Sequence, residues 1–299
     1  MIDLTNETFL PNRYGGSEKK KTLLYKGRLY MVKFPDPIRQ KGNDLSYMNN
    51  AFSEDIGCKI AESIGFSVQD TFLALYREDN GKEKIVVACE DFCQDGAVLS
   101  EFSKMILSDT DNDRRIAKRV IPIEIVMDVI DATPVISDKE AAKDRFWDLF
   151  VFDTLIGNQD RHLDNWGFLL KNNQLEFAPI YDCGSALSPL LSDDAMDKIS
   201  SNISAFKDHE YNLSSPYSYE GKRVFYPKIF EAPPEPLKRA IQRIVPQINR
   251  SQILKIVENT ERMSQVRKFY ISQALSYRYN NILEKSLQRL NKKEKAYSR

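Results

Sequence analysis

Four cysteines and two histidines are the whole stock of soft metal ligands in this 299-residue chain. Cys58, Cys89, Cys93 and Cys183 form no C-x-x-C pair, and no Cys/His run has zinc spacing. That excludes a zinc ribbon and a disulfide framework, and the four are expected as buried, reduced thiols in a reducing compartment. No uninterrupted apolar run approaches the ~20 residues of a spanning helix. No basic patch leads into an apolar stretch at the N-terminus, so a soluble, cytoplasmic protein without a membrane partner is expected. An excess of one charge is missing too: 43 basic residues balance 43 acidic ones. Nothing in that balance calls for direct contact with nucleic acid.

What the chain does have is 42% hydrophobic residues, 11% of the total being aromatic. At this length that is enough to bury a sizeable core and divide it between two lobes. The first third reads as β-rich. Thr22 to Pro35 gives two short strands broken at Lys26-Gly27, a hairpin turn. Phe52, Ile56, Ile60 and Ile64 recur at helical spacing, and Gly65 supplies a stop. Val68 to Arg77 and Lys84 to Glu90 are strand-like runs joined by Asp79-Asn80-Gly81. After about Gly96 helical spacing dominates, from Phe102 to Ile130 and from Lys139 to Ile156, the second run ending at Gly157. Two short strands follow, Trp166 to Lys171 and Leu175 to Ile180, joined by Asn172-Asn173. Ser188 to Pro236 is polar and reads as a long irregular insertion. Amphipathic helices and a basic tail complete the chain. The expected architecture is α+β, with a small β-rich lobe over residues 1–95 and a mainly helical lobe over 96–299.

The chemistry concentrates between Gly157 and Gly184. Phosphoryl transfer from ATP requires a carboxylate near the attacking hydroxyl and oxygen ligands that hold Mg²⁺ on the phosphates. Protein kinases draw these from a D-x-x-x-x-N loop and from the Asp of a D-x-G turn after a short hairpin. Asp160 and Asn165 keep the first spacing, and Asp182-Cys183-Gly184 keeps the second shape. Either motif alone is usually a solvated turn; the two in order around a helix, loop and hairpin are specific. His162 is read as nucleotide ligand, general base or a hydrogen-bonded brace of the loop, the brace being the expected use. Upstream, Gly15, Gly16 and Ser17 precede the first strand, where glycines let backbone N–H groups approach phosphate oxygens. Lys33, on the next strand, is placed to pair the α/β-phosphates, and Glu54 on the following helix to hold that lysine. The run Ala88-Cys89-Glu90-Asp91-Phe92 has the position of a hinge that offers backbone groups to adenine.

The segments LIGNQDRHLDNWGFLL, FAPIYDCGSAL, GGSEKKKT, YMVKFP and FSEDIGCKIAESIGFSV resemble the HipA-like serine/threonine kinases. The resemblance covers most of the chain from Tyr14 to Leu187 and, beyond it, rests on helical character alone. It implies a bilobal protein-kinase-like fold, Mg-ATP, a protein substrate with a serine or threonine acceptor, and autophosphorylation near the phosphate loop. It further implies Asp160 as catalytic base, Asn165 and Asp182 as metal ligands, Lys33 as phosphate lysine and Ser17 as a regulatory phosphosite. A toxin or effector role and an antitoxin-like partner are expectations from the same family. About a dozen residues precede the glycines, as in its short members, whereas full-length toxins carry an extra N-terminal subdomain. The D-R-H-x-x-N order also resembles phosphoinositide kinases, which keeps a lipid kinase as an alternative. Against it, Ser185 to Ser204 holds one lysine and several aspartates, unsuited to an anionic membrane surface. A catalytically silent kinase-fold binding module is the other alternative, and the intact set Lys33, Asp160, Asn165 and Asp182 weighs against it.

Overall fold

The computed structural model describes residues 1–14, 19–38, 45, 47–93, 96–107 and 120–297. Its first layer is a six-stranded sheet in the order β1-β5-β6-β4-β3-β2, with β1 over Ile2–Asp3, β2 over Phe9–Leu10, β3 over Lys20–Tyr25 and β4 over Arg28–Lys33. The β3/β4 hairpin turns at Lys26-Gly27, both with positive φ (49° and 79°), the backbone that matches the twist of the flanking strands. Helix α1 (Asn50–Ile64) ends where Gly65 takes φ 92° and returns its N–H to the last turn. Strands β5 (Thr71–Arg77) and β6 (Glu83–Glu90) pair antiparallel, and β4 lies against β6 with Lys33 opposite Val87.

One face of this sheet buries Leu23, Tyr30, Val32, Phe34, Ala74 and Val86. On the other, Ala51 of α1 meets Val87 and Cys89. Most of the apolar side of α1, including Phe52, Ile56, Ile60 and Ile64, instead joins the large core of the helical part. The helix therefore belongs to two cores at once.

The second part begins with β7 (Val98–Glu101), α2 (Phe102–Leu107), β8 (Ile121–Pro122), α3 (Ile123–Ala132) and α4 (Lys139–Ile156). Asp138 caps α4 by accepting from the Ala141 N–H, and every residue from Phe146 to Ile156 is buried, as expected of a helix at the centre of its lobe. Strands β9 (Gly167–Lys171) and β10 (Gln174–Phe177) form a hairpin around Asn172-Asn173, both left-handed, and β7 adds to β9 as a third strand. The strand Val98–Glu101 was not expected. The helical run anticipated from Phe102 to Ile130 is divided: residues 108–119 lie outside the described residues, and β8 precedes α3.

A larger correction concerns residues 188–236, which are not an irregular insertion. They contain α5 (Asp193–Ser200), α6 (Ile203–Tyr211), the hairpin β11 (Ser214–Tyr219) and β12 (Lys222–Phe225), and α7 (Tyr226–Ile229). The serines and asparagines that suggested a loop act as caps: Ser192 accepts from the Ala195 N–H, and Asn202 accepts from the Ser204 and Ala205 N–H groups. β11 also pairs with β8, Tyr217 opposite Ile121. Helices α8 (Glu235–Ile244), α9 (Arg250–Glu258), α10 (Gln265–Arg278) and α11 (Glu284–Tyr297) close the lobe as anticipated. Among the described residues, no helix is long and apolar enough to cross a membrane.

A buried ion pair stitches these late helices to the chemistry-bearing loop. Arg278 of α10 donates to Glu210 of α6 at 2.6 Å and to the Leu155 carbonyl at 3.3 Å. Burial pushes the Glu210 carboxyl up, but Arg278 and His209 together outweigh it and hold the group below its ordinary range. The guanidinium lies against Gly157, whose φ is 65°; a Cβ there would sit 2.6 Å from Cζ of Arg278. Gly27 also has positive φ, yet nothing lies within 4 Å of a Cβ at that position. An alanine in left-handed backbone costs about 1–2 kcal/mol. Gly27→Ala is expected to lose only that in urea melts, whereas Gly157→Ala loses clearly more because the paired arginine cannot retreat. Equal losses at the two sites would remove the packing role given to Arg278.

Candidate active site

Lys33 occupies the base of the cleft between sheet and helices. Its Nζ is 3.1 Å from Oδ1 of Asp182 and 3.3 Å from Oε2 of Glu54. The lysine and glutamate side chains are only 7% and 1% exposed. Burial pushes the Glu54 carboxyl up, and Lys33 opposes it without cancelling it. Asp182 feels burial in the same sense, but Lys33, with help from Arg161 and Lys20, pulls its carboxyl below the usual range. The charge of one lysine is thus shared unevenly, and Asp182 is held as the carboxylate.

Two glycines let α1 approach this point. A Cβ on Gly57 would lie 2.6 Å from Cβ of Cys183, and one on Gly184 would lie 3.1 Å from Oε2 of Glu54. Asp182 itself has φ 56°, a left-handed turn in a non-glycine residue next to these contacts. Strained backbone of this kind persists where the surroundings over-determine it.

The loop after α4 is pinned from inside by Arg161, which is 2% exposed. Its Nε donates to Asp153 at 3.1 Å and its Nη1 to the Asn165 carbonyl at 2.8 Å. The same nitrogen reaches the Tyr181 carbonyl and, at 3.3 Å, that of Asp182. Burial works against the guanidinium charge, but Asp153 outweighs it and raises the Arg161 pKa well above its ordinary value. One side chain thereby ties the loop that carries Asp160 and Asn165 to the turn that carries Asp182. Asn165 is buried and its Nδ2 donates to the Asp160 carbonyl at 2.8 Å. The Asp160 carboxylate is exposed, with the Ser185 hydroxyl donating to Oδ2 at 3.2 Å. His162 accepts at Nδ1 from the Asp164 N–H, 3.2 Å away, the geometry of the loop brace.

Beside Lys33 opens a cavity of about 440 Å³. Met31, Gln69, Asp91, Phe92, Tyr181 and Asp182 line it, and Lys20 and Asp164 are at its wall. The Phe92 and Tyr181 rings lie 5.7 Å apart. Gln69 donates to the Glu90 carbonyl at 2.8 Å, while its buried Oε1 has no partner among the described residues. Glu90, anticipated in the hinge, does not line the cavity: its carboxylate pairs with Arg28 at 2.6 Å and its N–H goes to the Asp70 carbonyl. Cys58, Cys89 and Cys183 are buried free thiols as expected, whereas Cys93 is half-buried and lines the cavity. Gly15, Gly16 and Ser17 lie outside the described residues. Sequence reasoning missed Arg161, Gln69 and Ser185. Only Arg161 left a trace, an arginine beside the loop aspartate with a second aspartate one helical turn before Gly157.

Sheet and helices around a lysine-bridged cleft, with a D-x-x-x-x-N loop facing a D-x-G turn, define a phosphotransferase of the bilobal, α+β protein-kinase-like class. The model for the HipA-like C-terminal domain matches residues 13–252, and the chain belongs to that family. It is 36% identical over 290 residues to the serine/threonine-protein kinase CtkA of Helicobacter pylori, covering 95% of this chain and 86% of that protein. The crystal structure of that proinflammatory kinase superposes with a TM-score of 0.86 at 34% identity, over 96% of this chain and 97% of the other. HipA of Shewanella oneidensis, solved with HipB and operator DNA, shares the fold at TM-score 0.53 and 15% identity, over 95% of this chain and 70% of its own.

Removing one partner of a buried ion pair costs about 3–5 kcal/mol. Arg161→Gln is therefore expected to lose stability on that scale in urea melts, with part regained in Arg161→Gln/Asp153→Asn. Arg77→Gln, at the exposed Arg77–Glu83 pair, is the reference and should lose under about 1 kcal/mol. If the two single variants melt alike, Arg161 does not hold the loop.

Proposed function

We propose that this chain is an ATP- and magnesium-dependent protein kinase acting on serine or threonine hydroxyls. The observation that carries the reading is the buried Lys33 held between Glu54 and Asp182, in the wall of a cavity that Asp164 of the Asp160 loop also lines. The serine/threonine acceptor is supported by the 36% identical relative, whose name gives that specificity.

The residues fit both ligands. Gln69 Oε1, buried and unpartnered among the described residues, is an acceptor suited to the exocyclic amine of adenine, and Phe92 and Tyr181 offer aromatic walls to its ring. Asp182 and Asn165 provide a carboxylate and an amide oxygen, the hard donors magnesium selects. With its NH₂ committed to the Asp160 carbonyl, Asn165 has oxygen left to offer. Magnesium held there would neutralise charge on the phosphates.

In this reading Lys33 binds α/β-phosphate oxygens, and Glu54 keeps the lysine from collapsing fully onto Asp182. Asp160 orients the acceptor hydroxyl and takes its proton at a carboxylate oxygen, while His162 braces the loop. Arg161 acts through the backbone, fixing the separation of loop and turn. The glycine segment at Gly15 to Ser17 completes the phosphate grip, with residues 1–95 and 96–299 as the two lobes.

Mg-ATP at ~100 times its Kd adds ~2.7 kcal/mol of stability, visible as a thermal shift. Asp160→Asn is expected to keep that shift and lose transfer to a protein acceptor; Asp182→Asn is expected to lose both. Transfer by Asp160→Asn at the parental rate would mean that another group takes the proton.

A further inference from the structure

Asp160 already has a hydroxyl at its carboxylate. Ser185 Oγ donates to Asp160 Oδ2 across 3.2 Å, the contact the proposed mechanism requires of an acceptor. The serine is not there by accident of a loose loop. Cys183 O accepts from the Ala186 N–H at 3.0 Å, closing a tight turn with Gly184 and Ser185 at its centre. The next residue is fixed as well, Leu187 N–H donating to the Ile156 carbonyl at 3.1 Å. Leu187 and Ser188 then both adopt φ 57°, a sharp reversal that turns the chain away. Buried Cys183 and Leu187 flank the half-exposed serine on either side. Ser185 is also three residues from Asp182, the carboxylate paired with Lys33.

We propose that Ser185 is an acceptor in its own right, phosphorylated within the same molecule. The inference rests on the kinase reading above and goes beyond it by naming a modification site in the turn after the metal-binding aspartate. Ser185 Oγ attacks the terminal phosphorus of a nucleoside triphosphate. The Oγ–P bond forms, the bond from that phosphorus to the bridging oxygen breaks, the nucleoside diphosphate departs, and the Oγ proton passes to Asp160. No co-reactant is needed beyond the nucleotide.

The test incubates the full-length chain with Mg-ATP and maps phosphate by peptide mass spectrometry, with a serine-containing protein acceptor assayed alongside. The expected result is phosphate on Ser185, formed with a rate constant independent of protein concentration and absent from Ser185→Ala. Mixed with the parental chain, Asp160→Asn should remain unphosphorylated at Ser185, since it cannot act on itself. A readout without turnover uses Ser185→Cys: magnesium with a non-hydrolysable ATP analogue should protect the thiol from alkylation on the peptide carrying position 185. Phosphate on the added acceptor or elsewhere on the chain, with none at Ser185, overturns this proposal and leaves the kinase reading standing. Labelling of Asp160→Asn at Ser185, or an unprotected thiol, overturns it equally. Absence of both transfer to any acceptor and Mg-ATP stabilisation overturns the kinase reading itself.

Discussion

One buried ammonium group organises the cleft. Lys33 comes from a strand, Glu54 from a helix and Asp182 from a turn nearly 150 positions further along, and the three meet within salt-bridge distance. Two carboxylates compete for one ammonium group, and only Glu54 is fully out of water, where an ionised carboxyl is tolerated poorly. The uneven response of the two acids reflects this: Glu54 is driven toward its neutral form by burial, while Asp182 is kept ionised.

Around that group the chain uses a second buried cation of different shape. Arg161 makes contacts that a lysine could not reproduce, because its planar fork addresses a carboxylate and several carbonyls together. The ammonium joins side chains across the cleft; the guanidinium joins backbones beneath it. Asp160, on the same loop, stays exposed, its carboxylate met by the Ser185 hydroxyl.

Legibility in the sequence followed the range of the physics involved. Hairpins at Lys26-Gly27 and Asn172-Asn173 and the stops at Gly65 and Gly157 are local, and the fold bears out those elements. The meeting of Lys33 with Glu54 was legible only through order along the chain. Residues 188–236 misled because serine and asparagine serve equally as loop formers and as helix caps, and composition cannot separate the uses. Glu90 was named for the backbone groups of a hinge, and the pairing of its side chain with Arg28 is a cross-strand contact its place in the sequence did not announce. Gln69 and Ser185 gave no signal, since an orphaned amide oxygen and a hydroxyl resting on a carboxylate are properties of tertiary contact.

The dual packing of α1 bears on how such a site is controlled. In protein kinases, movement of the helix that carries the glutamate switches the lysine–glutamate pair on and off. Here that helix is buried from Asn50 to Cys58 and shares the core of the helical lobe. Gly57 sits against Cys183 so closely that not even a methyl group fits between them. Swinging α1 outward would open that core and expose the Glu54 carboxyl together with its neighbours. Dense packing of this sort favours discrete states over gradual displacement. The exposed Asp160 and the half-exposed Ser185, by contrast, have side chains outside both cores. Side-chain movement at that carboxylate is therefore cheaper for this fold than movement of the lysine pair.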